Sequence, residues 1–193
     1  AVLLVRLGQE DEAVRQFLLV RDGFPEAPLA SQAGARAGHI AFALEQYDQA
    51  RRIYEPLLEK DVSDSLVYGQ YALALFRLQR IEEGRKAAER YADRMVEKAE
   101  WDQRFLLAEG RYYQRAKDYD RALKAFRDVV KRRGRTAGEG AYYAAETLWQ
   151  QNAAAPSEEG AARALEALVR FVQDYPDSPQ GADAYLRLAN YQF

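Results

Sequence analysis

His39 is the one histidine of this 193-residue chain, and no cysteine accompanies it. Disulfides and a Cys/His zinc centre are excluded, and nucleophilic catalysis would rest on a single imidazole without a Ser or Cys to serve it. Residues 138–140, Gly-Glu-Gly, lack the following Lys-Ser/Thr of a phosphate loop and precede a helical pattern with no strand before it. Asp and Glu are spread along helical stretches, often three or four residues from Arg or Lys. That spacing gives a soluble surface and no poised acid–base pair. Of the thirteen tyrosines, most fall where helices pack together, among them Tyr47, Tyr54, Tyr113 and Tyr119. No catalytic residue, metal ligand or cofactor is expected, and the chain reads as a non-enzyme.

The elements holding these residues are helical. Ala, Leu, Arg, Glu and Gln dominate, and alternating Val/Ile/Thr runs are nearly absent. The composition, 48% hydrophobic and 30% charged, is that of a chain able to bury a core. A net charge of −2 argues against a general nucleic-acid binder. Charge is uneven: residues 101–150 carry 11 Lys and Arg against 7 Asp and Glu, and residues 151–193 carry 3 against 6. No apolar run reaches the length of a membrane span. The opening "AVLLVRLGQEDEAV" reads as the middle of a helix, so a targeting segment would lie upstream.

One phrase recurs. "YDQARRIY" (Tyr47, Ala50, Tyr54) returns as "YDRALKAF" (Tyr119, Ala122, Phe126), with weaker copies at Ala13/Phe17, Ile81/Gly84/Ala88 and Ala164/Leu168. The small residues at 13, 50, 84, 122 and 164 are spaced by 37, 34, 38 and 42. A second small residue, Gly38, Ala72 or Gly110, stands twelve before three of them. Such a unit reads as two antiparallel helices that cross at small residues, with aromatics filling the gaps and stacking supplying the core. Helices are expected at about 10–22, 29–44, 47–59, 64–79, 82–98, 100–116, 119–132, 138–151, 158–174 and from 179 onward. The basic run Lys131 to Arg133 is expected at a helix C-terminus, with Gly134 as its cap.

This pattern resembles the tetratricopeptide repeat. That family has Gly or Ala at its eighth position, aromatics at its seventeenth and twenty-fourth and Ala at its twentieth, often with Pro at its thirty-second. Gly110, Tyr113, Tyr119, Ala122 and Phe126 match closely, as do Gly38, Tyr47, Ala50 and Tyr54. Gly84 and Ala88 depart from it, and the fifth unit carries an insertion, "QQNAAAPSEEG". The resemblance implies an all-α fold, an α-α superhelix or solenoid of antiparallel helix pairs over residues 1–193. It would hold about five repeats, with a partial first unit (1–27) and an unpaired last helix (179–193).

In the architecture so implied, the first helix of each pair lines a concave groove through positions 2, 5, 9, 12 and 13. Carried along the chain, that register gives His39, Phe42, Leu73, Phe76, Arg77, Arg104, Arg111, Arg115, Tyr142 and Trp149 as partner-binding residues. Arg77, Arg104, Arg111 and Arg115 are then expected to receive an acidic or C-terminal carboxylate group. The expected function is a protein–protein interaction scaffold that binds a partner peptide or helix. The alternative is a structural spacer, or a segment that self-associates through terminal repeats.

Phe-Pro-Glu-Ala-Pro at 24–28 and Tyr-Pro-Asp-Ser-Pro at 175–179 stand 151 residues apart, which is four repeat units. Each proline pair is expected to stop one helix and start the next, with Ser178 capping, Pro179 in the first turn, and Ala27 a weaker cap. With the Ala-rich stretch that follows, Tyr175 to Pro179 resembles the tetratricopeptide variant of Gram-negative envelope proteins, of the outer-membrane assembly lipoprotein and Tol–Pal coordinator type. That implies a periplasmic protein; the alternative is cytoplasmic.

Overall fold

The computed structural model describes Val2, residues 8–60 and residues 62–191. Among them are ten α-helices and no strand: α1 (Glu10–Gly23), α2 (Ala30–Ala43), α3 (Tyr47–Leu58), α4 (Leu66–Arg77), α5 (Ile81–Arg90), α6 (Lys98–Arg115), α7 (Tyr119–Lys131), α8 (Ala137–Ala154), α9 (Glu158–Asp174) and α10 (Gly181–Tyr191). They form two compact units that divide between Trp101 and Asp102.

Within each unit, neighbouring helices interlock through the recurrent small residues. Ala50, Ala122 and Ala164 are wholly buried. Gly38 faces the Tyr54 ring and Gly110 faces the Phe126 ring so closely that a β-carbon would lie 2.2 and 2.5 Å from them. In both pairs the glycine of the first helix receives the aromatic of the second. The unit that departs from the pattern reverses the arrangement. Ala88 supplies no ring, and Phe76 of α4 lies over Gly84 of α5 instead, 2.9 Å from where a β-carbon would sit. A glycine on either helix thus lets one aromatic fill the crossing.

The turns inside three helix pairs share one hydrogen-bond scheme. Glu45, Gln79 and Lys117 have φ of 59°, 64° and 60°. Their N–H groups donate to Phe42, Phe76 and Gln114 carbonyls. The next N–H groups, of Gln46, Arg80 and Asp118, donate to the carbonyls of Ala41, Leu75 and Tyr113. This is the Schellman closure, with a left-handed residue after the helix.

Three expectations about the helices change. The helix expected over 82–98 ends at Arg90, and a single 3-10 turn spans Ala92–Arg94. Tyr91 leaves helical geometry (φ −107°, ψ 15°), and buried Met95 after the turn takes extended backbone (φ −87°, ψ 114°). The inserted segment is largely helix, since α8 runs to Ala154, and Ser157 caps α9 by accepting from the Gly160 N–H. The left-handed residue after α7 is Arg133 (φ 52°), not Gly134. Gly134 instead makes room for the buried Gln103 amide, which would lie 2.2 Å from a β-carbon there.

The proline phrases are double turns. Ala27 N–H donates to Phe24 and Ala30 N–H to Ala27, while Ser178 N–H donates to Tyr175 and Gly181 N–H to Ser178. The helices start at Ala30 and Gly181, so Pro28 and Pro179 lie outside them. The backbone carbonyl of the central residue does the work expected of a Ser hydroxyl, so Ala27 serves as well as Ser178. The Ser178 hydroxyl bonds the Gln180 side chain at 2.7 Å.

Candidate functional site

The ten register-derived residues part into three groups. Leu73, Phe76 and Tyr142 are buried and belong to the core. Phe76 lies over Gly84 at a helix crossing, and Tyr142 packs in a cluster with Leu168 and Phe171. His39, Phe42, Arg77, Arg111 and Trp149 are half-buried, and Arg104 and Arg115 are exposed. Trp149 packs against the cluster that contains Tyr142, Leu168 and Phe171. Phe42 rests edge-on against Tyr47 at 5.3 Å. Arg77 lies in the first unit and the other three arginines in the second. Its Nε is buried without a hydrogen-bond partner among the described residues.

The ninth-position side chains do not stand free. Three of the four, His39, Arg111 and Glu146, reach the sixth position of the following unit's first helix (Gln70, Tyr143 and Arg187), while Leu73 is buried in the core. His39 Nδ1 lies 2.6 Å from Gln70 Oε1. The Arg111 guanidinium sits 4.7 Å over the Tyr143 ring. Glu146 Oε1 accepts from Arg187 Nη2 at 3.4 Å. One geometric relation thus carries a hydrogen bond, a cation–π contact and an ion pair. These ties join successive helix pairs inside each unit.

The His39 network reaches further. Nε2 lies 2.9 Å from Asp64 Oδ2, Nδ1 lies 2.9 Å from the Tyr54 hydroxyl, and Tyr54 donates to Gln70 Oε1 at 2.5 Å. Gln70 Oε1 and the Asp64 carboxylate act as acceptors in this network. Burial pushes the Tyr54 phenol far above its ordinary value, with the Asp64 charge adding to it, so Tyr54 remains a neutral donor. In the second unit burial likewise raises the Tyr142 phenol, whose hydroxyl donates to Asp183. Asp183 also receives Arg187 Nε at 2.6 Å. Tyr142 and Arg187 hold that carboxyl below the usual carboxylate range. Sequence reasoning missed Gln70, Asp64, Asp183 and Arg187. The signal for Gln70 and Arg187 was the sixth position of the next unit; Asp64, in the segment before α4, had none.

Beside His39 lies a cavity of about 670 Å³ between α2 and the segment before α4, lined by Ser31, Gln32, Arg36, Lys60 and Asp64 among others. The corresponding place in the second unit, between the start of α8 and the Tyr-Pro-Asp-Ser-Pro turn, holds a cavity of about 470 Å³ lined by Arg135, Glu139, Asp174 and Asp177 among others. Among the described residues, no group of three or more His, Cys, Asp or Glu could hold a metal ion, and no helix is long and apolar enough to cross a membrane.

Stacked helix pairs with glycine–aromatic crossings define the class: a helical repeat protein. The tetratricopeptide repeat family model matches residues 35–99 and 107–159, more than half of the chain, and the chain belongs to that family. Among solved structures it is similar to YrrB, described as a TPR protein with an unusual peptide-binding site. Identity is 18%, the match covers 95% of this chain and 87% of that chain, and the TM-score is 0.57, a likeness of fold. No curated protein matches.

Proposed function

We propose that this chain is a non-enzymatic protein-interaction scaffold that takes an extended or helical segment of a partner on the first helices of its pairs. The observation that carries it is the residue of the groove register that the core leaves uncommitted. Exposed Arg115 and half-buried Phe42 remain at surface positions after packing has claimed Leu73, Phe76 and Tyr142. Aromatic anchors beside arginines suit peptide capture. The described peptide-binding site of YrrB, a protein of like fold, supports the same reading. The test is to select peptides against the chain from a displayed library and measure their affinity for Phe42→Ala, Arg115→Glu and Trp149→Ala. At least tenfold weakening is expected in one or more variants; unchanged binding in all three would refute the assignment.

The proposal extends to location. The two proline double turns and the Ala-rich helix after the second support a periplasmic protein of the Gram-negative envelope. Protease accessibility of the tagged native protein in spheroplasts checks this, and protection equal to that of a cytosolic marker would overturn it. A second reading, self-association or a spacer role, is favoured by Tyr185 and Leu186 of α10, which stand 58% and 61% exposed. Light scattering across a concentration series decides it: a strictly monomeric chain counts against self-association.

A further inference from the structure

The cavity beside His39 has a chemistry of its own. Arg36 and Lys60 line it from opposite walls, α2 and the segment before α4. Both are exposed, and neither has an ion-pair or hydrogen-bond partner among the described residues. The same wall holds the Asp64 carboxylate, so among the described lining residues two cations stand against one anion. Asp64 Oδ2 is taken by His39 and Asp64 Oδ1 accepts the Leu66 N–H at 3.1 Å. Val62 of that wall is held in place, because the buried Tyr68 hydroxyl donates to its carbonyl at 3.0 Å. The cavity is therefore preformed, hydroxyl-bearing and cationic, and holding its shape costs a ligand little.

Its counterpart in the second unit shows that this charge is not imposed by the architecture. There Glu139, Asp174 and Asp177 surround Arg135, so the same architectural position is acidic. Size indicates the kind of anion. A volume of 670 Å³ is the liquid share of roughly twenty water molecules, far more than a lone inorganic ion occupies. We propose that this cavity is a subsite for an acidic stretch of a peptide partner, with Asp or Glu carboxylates of that stretch meeting Arg36 and Lys60 from the two walls. This rests on the peptide-binding reading above and adds the chemical class of the ligand.

A fluorescein-labelled hexaglutamate peptide is the probe, with hexaglutamine and inorganic phosphate beside it. Anisotropy titration should show hexaglutamate binding that weakens with salt and no measurable binding of hexaglutamine. The double variant Arg36→Gln/Lys60→Gln is expected to weaken hexaglutamate roughly tenfold. Lys124→Gln, an exposed position on α7 outside the cavity, is expected to change it less than about twofold. Circular dichroism on each variant confirms the fold, which these exposed positions do not support. Failure of hexaglutamate to bind, equal binding by the double variant, or phosphate binding as tightly as the peptide overturns the proposal. Library-selected peptides that lose affinity on Phe42→Ala but not on the double variant would refute this subsite and leave the scaffold reading standing.

Discussion

At Gly38 a β-carbon would lie 2.2 Å from a ring carbon of the wholly buried Tyr54. Alanine is the better helix former by about 1 kcal/mol. The steric term opposes it, since overpacking costs about 1–3 kcal/mol and Tyr54 is also tied to Gln70. Gly38→Ala is therefore expected to destabilise the chain by about 1–2 kcal/mol in urea unfolding. The same change beside Tyr54→Leu should cost less than the sum of the two single changes, because the shorter side chain vacates the space. Additive effects would mean that ring and glycine do not share one site. Phe76 follows the same logic. The register placed it in a groove, but Gly84 leaves a space that only a ring from the opposite helix can fill.

At the scale of elements, the three Schellman turns are built on Glu45, Gln79 and Lys117 in a left-handed conformation that favours glycine. Each L side chain there is strained by about 1–2 kcal/mol. Glu45→Gly, Gln79→Gly and Lys117→Gly are each expected to raise stability by about 0.5–1 kcal/mol, against the usual direction for glycine. Thermal melts of the three variants check this, and a fall in Tm for all three would contradict the turn geometry. The hold of α8 on α10 depends on pH. Because Asp183 is kept below its ordinary value, its contribution is complete above the unfolded value of about 3.9 and is lost as pH falls through the lower folded value. The carboxylate is exposed, so the effect is modest. Between about pH 5 and pH 2 the native chain should lose more stability than Asp183→Asn, measured by urea titration at each pH. Parallel curves would show that the Tyr142–Asp183–Arg187 tie carries no stability.

At the scale of the molecule, each unit has its own buried cluster. Leu107, Phe126 and Val129 form one in the second, and Tyr54, Leu75 and Phe76 are each buried in the first. Repeat stability is built from local terms and nearest-neighbour terms, so damage stays close to its source. Gly110→Ala, which would push a β-carbon to 2.5 Å from Phe126, is expected to speed amide hydrogen exchange across residues 102–191 more than across residues 8–101. Exchange measured by mass spectrometry checks this. Equal acceleration in both halves would show a single cooperative unit.

Most of the helices, their pairing and most of the crossings were legible in the sequence, but the break at Arg90 and the Phe76 ring over Gly84 were not. The legible features rest on local composition and on a spacing of small and aromatic residues that only one packing scheme satisfies. Which side chains face outward was decided only by the tertiary structure. Position in a repeat says which way a β-carbon points, but a neighbour one unit along decides whether that side chain is taken. Arg111 met Tyr143, His39 met Gln70, and Leu73, Phe76 and Tyr142 went inward. The cavity of Arg36 and Lys60 has walls contributed by segments two dozen residues apart. Contacts at that separation follow from how helix pairs stack, and no local pattern encodes them.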